Sequence, residues 1–277
     1  SGTGASTNSG KTPSKPLASI TQALAKCTAS KGDIIMCMPG HAESVIAAAG
    51  IAITKIGVAI VGMGTGTLRP TITFATGTLA DIDIDAANVS LINLRFISNI
   101  ASLDAPIDVN AAGFEMVNCD FYCTTASTGF DITVITDAAA NDMIISGCNF
   151  YYDYSLAATL VTDTSTEIIR LVGADRAVIV GCYFAGDCTT GCINGITTES
   201  LSIRIANNTF IQLATDKHWV VVVASTTGRI DYNVGTATST AGVTDGNIIS
   251  AADCQLAENY GSDAAGECAQ VIGVLSA

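Results

Sequence analysis

Asn93, Asn118, Gly147, Gly181, Asn207, Asn233 and Asn259 recur at steps of 25, 29, 34, 26, 26 and 26 residues, and each closes a short apolar run. The runs read VSLINLRF (89–96), FEMVNCDF (114–121), MIISGCNF (143–150), VIVGCYF (178–184) and SIRIANNTF (202–210). IDYNV (230–234) and QLAENY (255–260) are worn copies, and Gly62 in VAIVGMG (58–64) opens the series. A repeat of this length without helical periodicity specifies stacked β-coils, none of which can bury its apolar face alone.

The residue type at the repeated position supplies a reason. Asn and Gly accept positive φ most readily, so each is read as a corner between two strands. Three residues beyond five of the corners stand Phe96, Phe121, Phe150, Phe184 and Phe210, and directly after the same corners Leu94, Cys119, Cys148, Cys182 and Asn208. Both sets are expected to form columns along the axis. A second strand with a small-residue corner precedes each unit: IDIDAAN (82–88), IDVNAAG (107–113), VITDAAAND (134–142), IRLVGADRA (169–177), ITTES (196–200), VVVASTTG (221–228) and IISAAD (248–253). Coils stacked about 4.8 Å apart leave little room there for anything larger than Ala or Gly.

The chain of 277 residues is expected to be one elongated domain over 1–277, with an arm and capping helix in 1–31, coils in 32–260 and a tail in 261–277. Pro16 sits at a helix start, and Leu17, Ile20, Leu24 and Cys27 fall on one face before Gly32 stops the run. Such a helix would cover the first sheet edge, where GDIIMCMPG (32–40) starts the winding. With 12 Lys+Arg against 25 Asp+Glu, a net charge of −13 repels phosphate backbones, so nucleic acid is not an expected partner. No run of eighteen apolar residues exists for membrane insertion.

The ten cysteines divide by their place in the repeat. Cys119, Cys148 and Cys182 share one slot in consecutive coils and read as a buried stack of reduced thiols. Cys27, Cys37, Cys123, Cys188, Cys192, Cys254 and Cys268 lie in loops or near the ends and are the disulfide candidates, with Cys188–Cys192 and Cys254–Cys268 as pairings to consider. No CxxC pair occurs, so neither a structural zinc nor any cofactor is expected.

Few residues offer chemistry. Asp81, Asp83 and Asp85 alternate with Ile82 and Ile84, which projects three carboxylates from one strand face about 6.7 Å apart. That spacing suits an inverting glycosidase pair, which needs about 6.5–9.5 Å, and the same residues are a weak candidate calcium site. The plainer reading is a solvated outer face. His41 and His218 are acid or base candidates without a visible nucleophile, and the glycine clusters in 4–12 and 62–67 lack the strand and helix of a phosphate loop.

The stretch SKPLASITQALAKC through GDIIMCMPGHAESV (14–46) resembles the N-terminal opening of right-handed parallel β-helix proteins, where a short helix leads into a GD-apolar-PG strand. With the later units, the chain resembles the pectate-lyase-like superfamily as tailed bacteriophages use it in tailspikes and virion surface proteins. The resemblance implies an all-β fold, a single-stranded right-handed parallel β-helix with a short N-terminal capping helix. It also implies a groove face on which Arg170 or Arg176 would be the basic residue. Two functions follow as expectations. The first is a non-enzymatic virion structural protein at the virion surface, a capsid decoration or short spike or fibre. It would assemble as a homotrimer and contact capsid or tail proteins. The second is a polysaccharide lyase or glycoside hydrolase of the tailspike depolymerase type, or an adhesin for a host surface glycan.

Overall fold

A computed structural model describes residues 4–125, 128–155, 165–215, 217–238, 248–262 and 268–270. Its strands form three sheets, termed A, B and C here, of nine, ten and eight strands. Within sheets A and C, and within sheet B up to its last pair, every neighbour is parallel and one coil away in sequence. Each coil runs from a sheet A strand through a corner to sheet B, through a longer loop to sheet C, and through a second corner back to A. This is the all-β solenoid expected, and strand–crossover–parallel strand units of this kind wind right-handed.

The Phe column forms as expected. Phe96, Phe121, Phe150, Phe184 and Phe210 are buried and their rings stack at 4.9, 4.9, 5.0 and 4.9 Å between centroids. Beyond Phe210 the in-register residue is Gly235, where a Cβ would lie 2.0 Å from the Phe210 carbonyl oxygen. Trp219 of sheet C fills the space instead, stacked on Phe210 at 5.4 Å and donating Nε1–H to the Thr236 carbonyl at 3.1 Å. The aromatic column therefore continues although its sheet B position has lost the ring.

Asn93, Asn118, Gly147, Gly181 and Asn207 are corners with φ between 52° and 65°. Asn233 and Asn259 are not: the positive φ belongs to Tyr232 and Glu258, one residue earlier. Gly62 shares the Asn93 position but ends its strand in extended backbone. The two displaced Asn residues instead join Asn208 in the buried slot after the corner. Asn208 gives its backbone N–H and Nδ2 to the Asn233 Oδ1 at 2.9 and 3.0 Å, and Asn233 does the same to Asn259 at 3.0 and 2.9 Å. Each Nδ2 also reaches a carbonyl one coil back, that of Ile179, Ile205 or Ile230. One column thus changes from Leu94 through Cys119, Cys148 and Cys182 to three asparagines, and buried amides are tolerated there because each is fully partnered.

The second corner also turns through positive φ, at Gly57, Asn88, Gly113, Asp142, Arg176 and Ser202. No residue type is common to it, so only its Ala-rich flank was visible in the sequence. The strand expected near ITTES ends at Gly195, and 196–200 is corner. The helix is shorter than the apolar spacing implies, Ile20–Leu24, because the Ser19 hydroxyl caps it by accepting from the Gln22 N–H at 3.2 Å. Leu17 precedes it and Cys27 follows it. Ile20 and Leu24 pack into the first coil, and the Ile20 N–H donates to Glu43 at 2.8 Å. No helix among the described residues is long and apolar enough to cross a membrane.

Cys119, Cys148 and Cys182 are buried thiols, with the Cys119 N–H directed at the Cys148 Sγ at 3.5 Å. Burial and the Cys119 contact hold Cys148 well above the usual thiol range, and the hydrogen bond to Cys148 and then burial do the same to Cys182. Cys37, Cys123, Cys188, Cys192 and Cys254 are also buried free thiols, Cys27 is half-buried, and the Cys268 side chain lies outside the described residues. Cys188 and Cys192 both turn inward from the strand Cys188–Gly195, their thiols hydrogen-bonded to each other. Thiol-specific reagent is expected to label native Cys27 well before these eight, which become reactive together on denaturation; mass mapping of the labelled cysteines checks this.

Candidate functional site

Register places chemistry on the outer face of sheet C. The strand Ile82–Ile84 buries both isoleucines and turns Asp83 outward, with Asp81 and Asp85 at its ends. Asp108, outward from Ile107–Val109, is directly beside Asp83 in the next coil. The same row continues through Ile135, Arg170 and Asn194. Successive members are about 4.8 Å apart along the axis. Next to it, Asp85 accepts from the Asn110 Nδ2 at 3.3 Å.

Crowding of like charges in partly buried positions changes the acids. Burial pushes the Asp81 carboxyl up to about 6, with Asp83, Asp108 and Asp85 adding to it and the Ala49 N–H, at 2.5 Å, opposing. Asp83 is raised by burial and then by Asp85, and Asp108 by burial and then by Asp83. A carboxyl raised in the fold disfavours folding once the unfolded chain ionises. The cost from Asp81 is absent below pH 3.8, grows as pH rises, and is complete above about 6. Asp81→Asn is therefore expected to raise the melting temperature at pH 7 and leave it unchanged near pH 3.5 by calorimetry.

At the far end of the row the charges are tied. Glu167 is fully buried, paired with the Arg170 guanidinium and bonded by the Asn194 amide. Arg170 was expected on a groove face and stands on this one, while Arg176 lies on the second corner, paired with Asp142 at 2.6 Å. Glu167 was missed, although a lone Glu in the apolar strand STEIIR was its signal. Among the described residues no three Asp, Glu, His or Cys side chains converge as a metal site, and the three aspartates extend along a strand rather than around a point.

The histidines stand elsewhere. His41 Nε2 lies 3.1 Å from Glu43, which also anchors the helix, and burial followed by Lys217 lowers His218, one strand past Asn194. A second feature escaped the sequence reading. Tyr122 and Tyr151 stack on sheet B at 4.7 Å, Tyr183 leans against Tyr151 at 5.5 Å with its ring tilted by 41°, and the Arg95 guanidinium stands 5.5 Å above Tyr122. The Tyr122 and Tyr151 rings face one another, so this pair offers edges and hydroxyls rather than open ring faces.

No family model and no curated protein matches the sequence. Among solved structures the chain is similar to a rhamnogalacturonan lyase, at a TM-score of 0.51 and 10% identity over 85% of this chain and 73% of that one. A likeness this distant shows the fold alone, a parallel β-helix.

Proposed function

We propose that this chain binds polysaccharide along the outer face of sheet C and cleaves it by acid–base hydrolysis. The observation that carries the proposal is the carboxylate row in which Asp81 is raised to about 6 beside Asp83 and Asp108. A carboxyl raised to about 6, which holds its proton on the acid side of neutrality, and a second carboxyl two residues along the strand, about 6.7 Å away, match the spacing of an inverting pair working at mildly acidic pH. Asp81 is the general acid and Asp83 the base that activates water. Elimination from an acidic polysaccharide fits less well, since it needs a cation beside the uronate and Arg170 is engaged by Glu167. The β-helix of the lyase noted above supports a glycan as the substrate class.

Incubation with panels of neutral and acidic polysaccharides tests the reading. New reducing ends without unsaturated-sugar absorbance are expected from a neutral glycan. Absorbance from an acidic one would replace hydrolysis by elimination, and silence across both panels would remove the activity.

A second reading is a non-enzymatic structural protein at a bacteriophage virion surface, as capsid decoration or a short spike, assembled from copies of itself against capsid or tail proteins. It draws support from the low charge of the chain, 13% of residues, and from the apolar outer face of sheet A. Mass spectrometry of purified particles tests it, and absence of the chain from them would discard it.

A further inference from the structure

The outward side chains of sheet A form two straight columns. One carries Met36, Val61, Ile92, Val117, Ser146, Val180 and Ala206, an apolar ridge interrupted by Ser146. The other places Glu115, Ile144, Val178 and Arg204 on four consecutive coils. Ile144 is 39% exposed, and Met36 56%. Arg204 is exposed and has no ion-pair partner among the described residues, while Glu115 accepts only from the Ser90 hydroxyl at 3.2 Å among its side-chain bonds.

We propose that this face pairs with a second copy of the chain, axes antiparallel, about a twofold lying between the Ile144 and Val178 coils. The order Glu, Ile, Val, Arg is self-complementary under that operation and no other. Column faces like column, Glu115 meets Arg204 of the copy, Ile144 meets Val178, and symmetry makes each contact twice. Parallel axes would set this column against the apolar one and leave Glu115 opposite Val117 and Arg204 opposite Ala206, with both charges unpaired. A second copy is also the partner whose ridges share the same spacing of about 4.8 Å, so they interdigitate along the whole face.

The nine strands of sheet A overlap their copy over eight coils in this arrangement. That is about 35 Å of length and, with the flanking corner residues, about 15 Å of width, or about 500 Å² per copy. Such an area is at the low end for a specific pair, so the dimer is weak and concentration-dependent. The cluster of Asp81, Asp83 and Asp108 lies on sheet C, away from this face, and does not oppose the approach. The pairing goes beyond the glycan reading and holds whether or not sheet C cleaves anything.

Sedimentation equilibrium of the full chain through the micromolar range tests it, with circular dichroism verifying that each variant is folded. A monomer–dimer equilibrium is expected. Arg204→Glu or Glu115→Arg places like charges together twice and is expected to weaken it about tenfold or more, and the double exchange Glu115→Arg/Arg204→Glu to restore it. A monomer throughout the range, a trimer, a dimer indifferent to Arg204→Glu, or a double exchange that fails to restore association would each overturn the proposal.

Discussion

Phe150→Ala is expected to cost about 3–5 kcal/mol of stability, the range for removing a buried aromatic ring. The ring is fully buried and stacked on both sides, 4.9 Å from Phe121 and 5.0 Å from Phe184, so its loss opens a cavity between two coils that the rigid strand spacing cannot close. Phe150→Leu refills most of the volume and is expected to cost about 1–1.5 kcal/mol. Chemical denaturation followed by circular dichroism measures both. Trp219, the single tryptophan, lies at the C-terminal end of the same column and reports that end separately by fluorescence. A coil contacts only its neighbours, so the two probes are expected to separate in Phe150→Ala, the fluorescence transition holding closer to its original midpoint. A loss under about 1 kcal/mol would mean that the column does not carry the core.

The second large effect concerns the carboxylates. Asp81→Asn and Asp83→Asn are each expected to reduce kcat for glycan hydrolysis by about 100- to 10,000-fold, the usual contribution of a positioned acid or base. Asp108→Asn should behave differently. Asp108 is among the charges that hold Asp81 up, so its neutral amide lets Asp81 ionise earlier and moves the basic limb of the pH–rate profile to lower pH while much of the activity survives. Reducing-end assays across pH on the three variants separate these roles. Equal, pH-independent losses in all three would reduce the row to a solvating surface.

What was legible in the sequence depended on one residue type recurring at one position. Phe96 to Phe210 kept their identity through five coils, so the column was visible before any register was known. Asn233 and Asn259 misled for the same reason. Asparagine serves both a left-handed corner, where its side chain is exposed or half-buried, and the buried slot that follows, where its amide links coils, and the letters alone do not separate these uses. Tyr232 and Glu258 at the corner carry no such signal. The second corner was hidden because five residue types reach positive φ at its six described copies. At the site, Asp81, Asp83 and Asp85 were visible as an alternation within one strand. Asp108 was not, since its adjacency to Asp83 comes from pairing across 25 residues and appears only when coils are in register. Glu167, Arg170 and Asn194 converge by the same cross-coil pairing.

The most direct test of the account is a crystal structure soaked with a mixture of neutral oligosaccharides and solved in parallel for the Asp83→Asn variant, in which cleavage is blocked. Sugar density lying across Asp81, Asp83 and Asp108 on the outer face of sheet C is predicted. Sugar bound only to the tyrosine row of sheet B, or a bare sheet C face at saturating sugar, would contradict it.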